Sequence, residues 1–151
     1  MLKIKLPKGL PRFKLVNKKV AKMINDVADA SVKHMVSDVK ASRDIKGKKL
    51  KKLKPSTIKQ KLKKGYSTKP LIATGKMINI LKTKRASSSN LSARVDVGKG
   101  TKEIAEYHIA GAGNLPKRVF FGVGKPFEKI MQKMVANRAK KLIRMLWKKV
   151  K

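Results

Sequence analysis

The chain has no cysteine, so disulfides and thiolate metal sites are excluded from the start. Acid is almost as scarce: eight Asp and Glu stand against 41 Lys and Arg in 151 residues, and only three of the acids are glutamate. There are two histidines, 74 positions apart, and with scattered acids they match no metal-ligand spacing. Aromatics make up 5%, so a core has to be built from Val, Ile, Leu, Met and Ala. No apolar run approaches the ~18 residues of a membrane span, and the opening "MLKIKLPKGLPRFK" lacks the apolar stretch of a signal peptide. The expectation is a soluble protein, made and used in the cytoplasm, with no membrane partner.

What is present is positive charge. The formal net charge is +33, which repels copies of itself and attracts polyanions, either nucleic acid or acidic protein surfaces. Lysine outnumbers arginine 34 to 7, a balance that favours diffuse attraction over the bidentate reading of bases. Hydrophobic residues still account for 41%, and the length suits a single domain, 1–151, with a core of its own.

Read along the chain, "LKIKL" alternates as a short edge strand does, and Pro7, Gly9 and Pro11 then break it. From about Phe13 to Ala41 the period is helical: Val20, Ile24, Val27, Ala28, Met35 and Val39 fall within an arc of about 120°. His34 lies at the margin of that stripe and reads as a structural histidine. Residues 46–64 carry ten lysines and no acid, with a helix start at Pro55. Within this basic segment (46–69 with its short helix), Lys48, Lys49, Lys51, Lys52, Lys54, Lys63 and Lys64 are the candidate polyanion contacts. Leu50, Leu53, Ile58 and Leu62 interrupt them, so the segment is not a disordered tail.

Thr74 is positioned to cap a short helix reaching about Leu81. "KTKRASSSNLSARVDVG" reads as a hairpin whose Leu91, Ala93, Val95 and Val97 share one face. The same alternation extends the sheet through "EIAEYHI" and, after a "GAGN" turn, through "RVFFGV", with Phe120 and Phe121 on opposite faces. One ring would enter the core and the other would be offered to a neighbour. From Pro126 a long helix runs to the end, with Phe127, Met131, Met134, Leu142, Met145 and Leu146 on one face. Arg138 sits within that face and calls for a carboxylate or a subunit interface. The predicted class is α+β: a small antiparallel meander packed against long N-terminal and C-terminal helices.

The stretch Ile104–Phe127 concentrates three of four phenylalanines and four of ten glycines around His108. Glu106 and His108 share a face if the segment is a strand, yet no nucleophile or third group is placed beside them. The glycines match neither a dinucleotide loop nor a Walker motif. No catalytic residue, cofactor or metal is therefore predicted.

Three blocks together resemble the phage virion morphogenesis, or tail completion, family of tailed bacteriophages. "LKKLKPSTIKQKLKKG" is similar through Leu50, Leu53, Thr57 and Lys61. "KPLIATGKM" resembles the family's Pro-Leu-x-x-Thr-Gly-x-Leu through Pro70, Leu71, Thr74, Gly75 and Met77. "IAEYHIAG" and "LPKRVFFG" resemble its third region through Ala105, His108, Gly111, Leu115, Pro116, Arg118, Phe120 and Gly122, with Phe121 following Phe120. Ile104, Ile109 and Val119 depart from the pattern.

The resemblance implies a non-catalytic virion protein of the neck or upper tail. It would be a subunit of a ring, expected to be hexameric, in contact with head-tail connector or adaptor proteins and with tail tube or tail terminator proteins. Double-stranded DNA would pass through the lumen. The alternative left open by the residues alone is a free-standing basic nucleic-acid-binding protein that contacts phosphates through its lysine-rich segments.

Overall fold

A computed structural model describes residues 2–5, 14–79 and 81–147. The expected breaks at Pro7, Gly9 and Pro11, the helix start at Phe13 and the terminal lysines from Lys148 onward lie outside them, as does the side chain of Leu146. The order is β1 (Leu2–Lys5), α1 (Lys14–Lys40), α2 (Pro55–Lys63), α3 (Lys76–Asn79), β2 (Leu81–Lys84), β3 (Ser92–Val97), α4 (Lys102–Ala110) and α5 (Lys125–Trp147). The class is α+β, as the patterning predicts.

Helix α1 organises the rest. Its stripe of Val20, Ile24, Val27, Ala28, Met35 and Val39 is buried throughout, each of its larger side chains contributing about 1.5–3 kcal/mol by leaving water. Ser31 falls on the same stripe, and its hydroxyl donates to the Val27 carbonyl one turn back at 2.8 Å, so no polar group is left unpaired. The sheet packs on this helix, with Ala93 and Val95 of β3 almost fully buried against Val20, Ile24 and Ala28. Asn25 locks the hairpin to the helix: its amide donates to the Ala86 carbonyl at 3.0 Å and accepts from the Ala86 N–H at 2.8 Å.

Helix α5 runs antiparallel to α1. Lys19 meets Met145, Asp26 meets Arg138, Ser31 meets Met131 and His34 stacks on Phe127, so numbers rise along one helix as they fall along the other. Arg138 thus finds its carboxylate on Asp26. His34 is held by Asp38 one turn on at 2.9 Å, a core-margin histidine.

The sheet is three-stranded in the order β1-β3-β2, both pairings antiparallel. The predicted hairpin and N-terminal edge strand are present, but the predicted extension of the meander is not. Residues 102–110 are helical, and the apolar spacing could not exclude this, because Ala105 and Ile109, four apart, lie on one face under either period. Good helix formers (Glu103, Ala105, Glu106, Ala110) and an αL C-cap at Gly111, φ 75°, decide for helix.

"RVFFGV" is likewise not a strand of the sheet. It threads between α4 and the 42–50 loop, with the Arg118 N–H donating to the His108 carbonyl at 2.7 Å and the Ile45 N–H to the Val119 carbonyl at 3.0 Å. The two phenylalanines still differ: Phe120 is fully buried, whereas Phe121 is partly buried and lines an open groove. Phe120 is buried among Val39, Met77, Ile78 and Ala105, while Phe121 packs against both core clusters and joins them.

Candidate functional site

The three sequence blocks meet at one cleft of about 800 Å³, bounded by the 51–54 segment, α2, the 71–77 segment, α4 and the 113–118 segment. From the first block come Leu53, Thr57 and Lys61; from the second, Leu71, Thr74, Gly75 and Met77; from the third, His108, Leu115, Pro116 and Arg118. The volume lies within the ~300–1,000 Å³ usual for small-ligand sites.

Each wall has a local cause. Pro55 starts α2 at its first turn, where a missing N–H costs nothing. Lys61, one turn before the helix ends, turns back to donate to the carbonyls of Lys69 at 2.8 Å and Ile72 at 2.5 Å. That tether holds the 65–75 loop over the core, where Leu71 adopts φ 62°, a left-handed conformation that disfavours a branched side chain. Gly75 at φ 81° turns the chain into α3, and Lys76 receives a long cap from the Thr74 hydroxyl at 3.5 Å. Gly111 allows the other wall: a Cβ there would stand 3.0 Å from the Lys117 backbone nitrogen, so only glycine lets α4 end against the 116–118 segment.

Arg118 forms part of the cleft wall and is 3% exposed. Its guanidinium donates to the Lys51 carbonyl at 3.2 Å, while Nε has no partner. No carboxylate pairs with it among the described residues, and no acid lines the cleft. Burial pushes the Arg118 guanidinium below its ordinary range. Desolvation first, and the Arg118 charge second, hold the His108 imidazole and the Lys61 ammonium below theirs. His108 Nδ1 and Thr101 Oγ1 are also buried without partners, and both residues line the same cleft. Among the described residues these three atoms are the buried side-chain polar atoms without a bond, and they gather at one place.

The base-and-carboxylate arrangement of His108 with Glu106 does not form. On a helix, neighbours two apart point away from each other, and Glu106 instead faces Lys102 at 3.7 Å. A second groove, about 1220 Å³, is lined by Lys76, Lys82, Arg94 and Lys102, and the last two have carboxylates in the groove itself, Asp96 and Glu106.

Other predicted residues stand elsewhere. Phe120 belongs to the core, Phe121 packs partly buried against it and lines the second groove, Gly111 belongs to the helix cap, and Pro70 does not line the cleft. Lys48 and Lys49 sit on a turn stapled by the Asp44 carboxylate, which accepts from the N–H groups of Lys46 at 2.9 Å and Lys48 at 2.8 Å. Lys51, Lys52 and Lys54 edge the cleft, and Lys63 and Lys64 are exposed at the end of α2. Thr101 was not singled out by its sequence; its place after Gly98 and Gly100, at the entry to a helix, is the one signal it offers.

No family model, curated protein or solved structure matches the chain.

Proposed function

We propose that this protein is a structural, non-catalytic virion component of a tailed phage: a ring-forming tail completion or head-tail joining subunit. It is made in the host cytoplasm and incorporated at the neck or upper tail. The observation that supports this reading most is the convergence of the three resembling blocks on one cleft, although the third lies more than twenty-five residues beyond the first two. A set of motifs shared for local reasons, such as caps and turns, has no need to meet.

The binding mechanism in this reading is surface complementarity. Ile104, Leu115 and Tyr107 are exposed apolar side chains on and beside the cleft wall, suited to a neighbouring subunit. Charge sets the other condition. Copies bearing +33 repel one another, so acidic neighbours such as a connector, tail tube or terminator surface favour ring closure. Each lysine that neutralises a DNA phosphate adds a salt slope of about −0.9, and a lumen lined with them would hold DNA too tightly to release it. Most of the lysines are accordingly assigned to protein neighbours and solvent.

The test is the mass of the purified protein by native mass spectrometry, followed by imaging of the oligomer. A closed ring, six-fold by the resemblance, is expected, and a monomer at every concentration and with every acidic neighbour overturns the reading. The second reading, a free-standing phosphate-binding protein, is favoured by the exposure of Lys48, Lys49, Lys51, Lys52, Lys54, Lys63 and Lys64. Tight duplex binding by a monomer, with a steep salt slope, would establish it instead.

A further inference from the structure

We propose that the cleft at Arg118 is a receptor for a carboxylate: it takes an aspartate or glutamate carried on a short, otherwise apolar segment of an assembly partner. For the identity of the partner this rests on the assembly reading above; the chemistry of the site stands on the geometry.

A guanidinium 3% exposed with no counter-ion is the starting point. A buried charge is stable only when paired, and the usual partner is a carboxylate held by two parallel hydrogen bonds. Here Arg118 spends one bond on the Lys51 carbonyl and leaves Nε free. Thr101 and His108 line the same cleft, and Thr101 Oγ1 and His108 Nδ1 are buried there without a bond. Lys51, Lys52, Lys54, Lys61 and Lys76 ring this centre, and no acid in the cleft wall offsets them. The charge of the site is complementary to an anion and to nothing else in the chain that reaches it.

The walls say which anion. Leu53, Leu71, Ile72, Met77, Ile104 and Leu115 make much of the surface, which suits the side chains on either side of an acidic residue in a peptide. Nucleic acid fits poorly. No Phe, Tyr or Trp ring lines the cleft for a base to stack on, and the phosphates of a duplex cannot enter far enough to meet a guanidinium that is 3% exposed. A second copy of this chain is a poor donor as well, having eight acids in all, with Asp26, Asp29, Asp38 and Asp96 already paired internally.

The experiment measures binding of a capped, fluorescently labelled peptide, Leu-Asp-Leu-Glu-Ile, to the full chain at about 0.15 M salt. Comparison probes are its Asn/Gln counterpart, a Gly/Ser peptide of equal charge, inorganic phosphate and a duplex DNA. The acidic apolar peptide is expected to bind at least tenfold more tightly than its amide and Gly/Ser counterparts. R118K is expected to weaken it at least tenfold. Should R118K fail to fold, I104E decides, since Ile104 is 51% exposed and its replacement places a competing carboxylate in the cleft wall; the same loss is expected. K48Q/K49Q, outside the cleft, should leave peptide binding unchanged.

Equal binding of the amide or Gly/Ser peptide, displacement by phosphate or duplex at comparable concentration, or an I104E protein that binds normally overturns the proposal. The two readings separate cleanly: a monomer that binds the peptide removes the ring and keeps the site, while a ring indifferent to the peptide removes the site and keeps the ring.

Discussion

The backbone N–H of Arg118 donates to the carbonyl of His108 at 2.7 Å, and the Arg118 charge in turn acts on the His108 imidazole. One contact thus joins the end of α4 to the segment that carries the buried guanidinium. It also brings a fixed positive charge to a buried imidazole whose charged form it disfavours, with no acid in the cleft wall to relieve it.

That relationship has a pH signature. Burial and Arg118 hold the folded His108 below the ordinary imidazole value of 6.5, while the unfolded ring titrates at that value. The unfolded state therefore binds more protons as pH falls through 6.5, and the contribution of His108 to stability, complete above that point, is lost below it. Urea unfolding between about pH 7.5 and 5.5 should show wild-type stability falling, and His108→Gln should flatten that fall. A parallel fall in both proteins would assign the effect to other groups.

Glycine substitutions should rank by what a Cβ meets. At Gly124 it would stand 1.6 Å from the Ile45 carbonyl oxygen, backbone that cannot step aside, so Gly124→Ala should cost about 3 kcal/mol or more and free the 42–50 loop. Gly111→Ala, at φ 75° and 3.0 Å from Lys117 backbone, should cost about 2 kcal/mol. Gly47→Ala meets nothing and suffers only its φ of 78°, about 1 kcal/mol. Thermal denaturation of the three variants checks the order.

Asn25→Ala removes both hydrogen bonds to Ala86 and leaves a buried backbone pair without partners. A loss of about 2 kcal/mol is expected, with faster hydrogen exchange confined to the turn between β2 and β3. Asn25→Asp keeps the acceptor for the Ala86 N–H and loses the donor, and should fall between.

The Arg138 and Asp26 pair is 42% and 25% exposed and should matter far less than its place on a helix interface suggests. A double-mutant cycle with Arg138→Leu and Asp26→Asn is expected to give a coupling below about 1 kcal/mol, diminishing with salt. A coupling well above that would mark the pair as desolvated in an assembly.

The long helices, the hairpin and the α+β class were legible because each has a period sustained over many residues. The α1 stripe was named residue by residue, and all of it is buried. The segment around His108 was read as strand because over seven residues an i, i+4 match does not distinguish helix from strand. What tips the balance is a glycine cap and a close approach to Lys117, and neither appears in an apolar pattern. The segment 118–123 was expected as a strand as well, and its path between α4 and the 42–50 loop is set by tertiary contacts that no apolar pattern shows.

Charge and the α1 core stripe could be read from the residues alone, because they depend on residue type and local spacing. Packing alone brings the blocks to one cleft, pairs Arg138 with Asp26 while leaving Arg118 without an acid among the described residues, and sets Thr101, His108 and Arg118, each with an unbonded buried atom, in one cleft wall. Those are relations between residues distant in the chain. They exist only once the helices and loops have packed, water has been excluded and each polar group has either found a partner or been left without one.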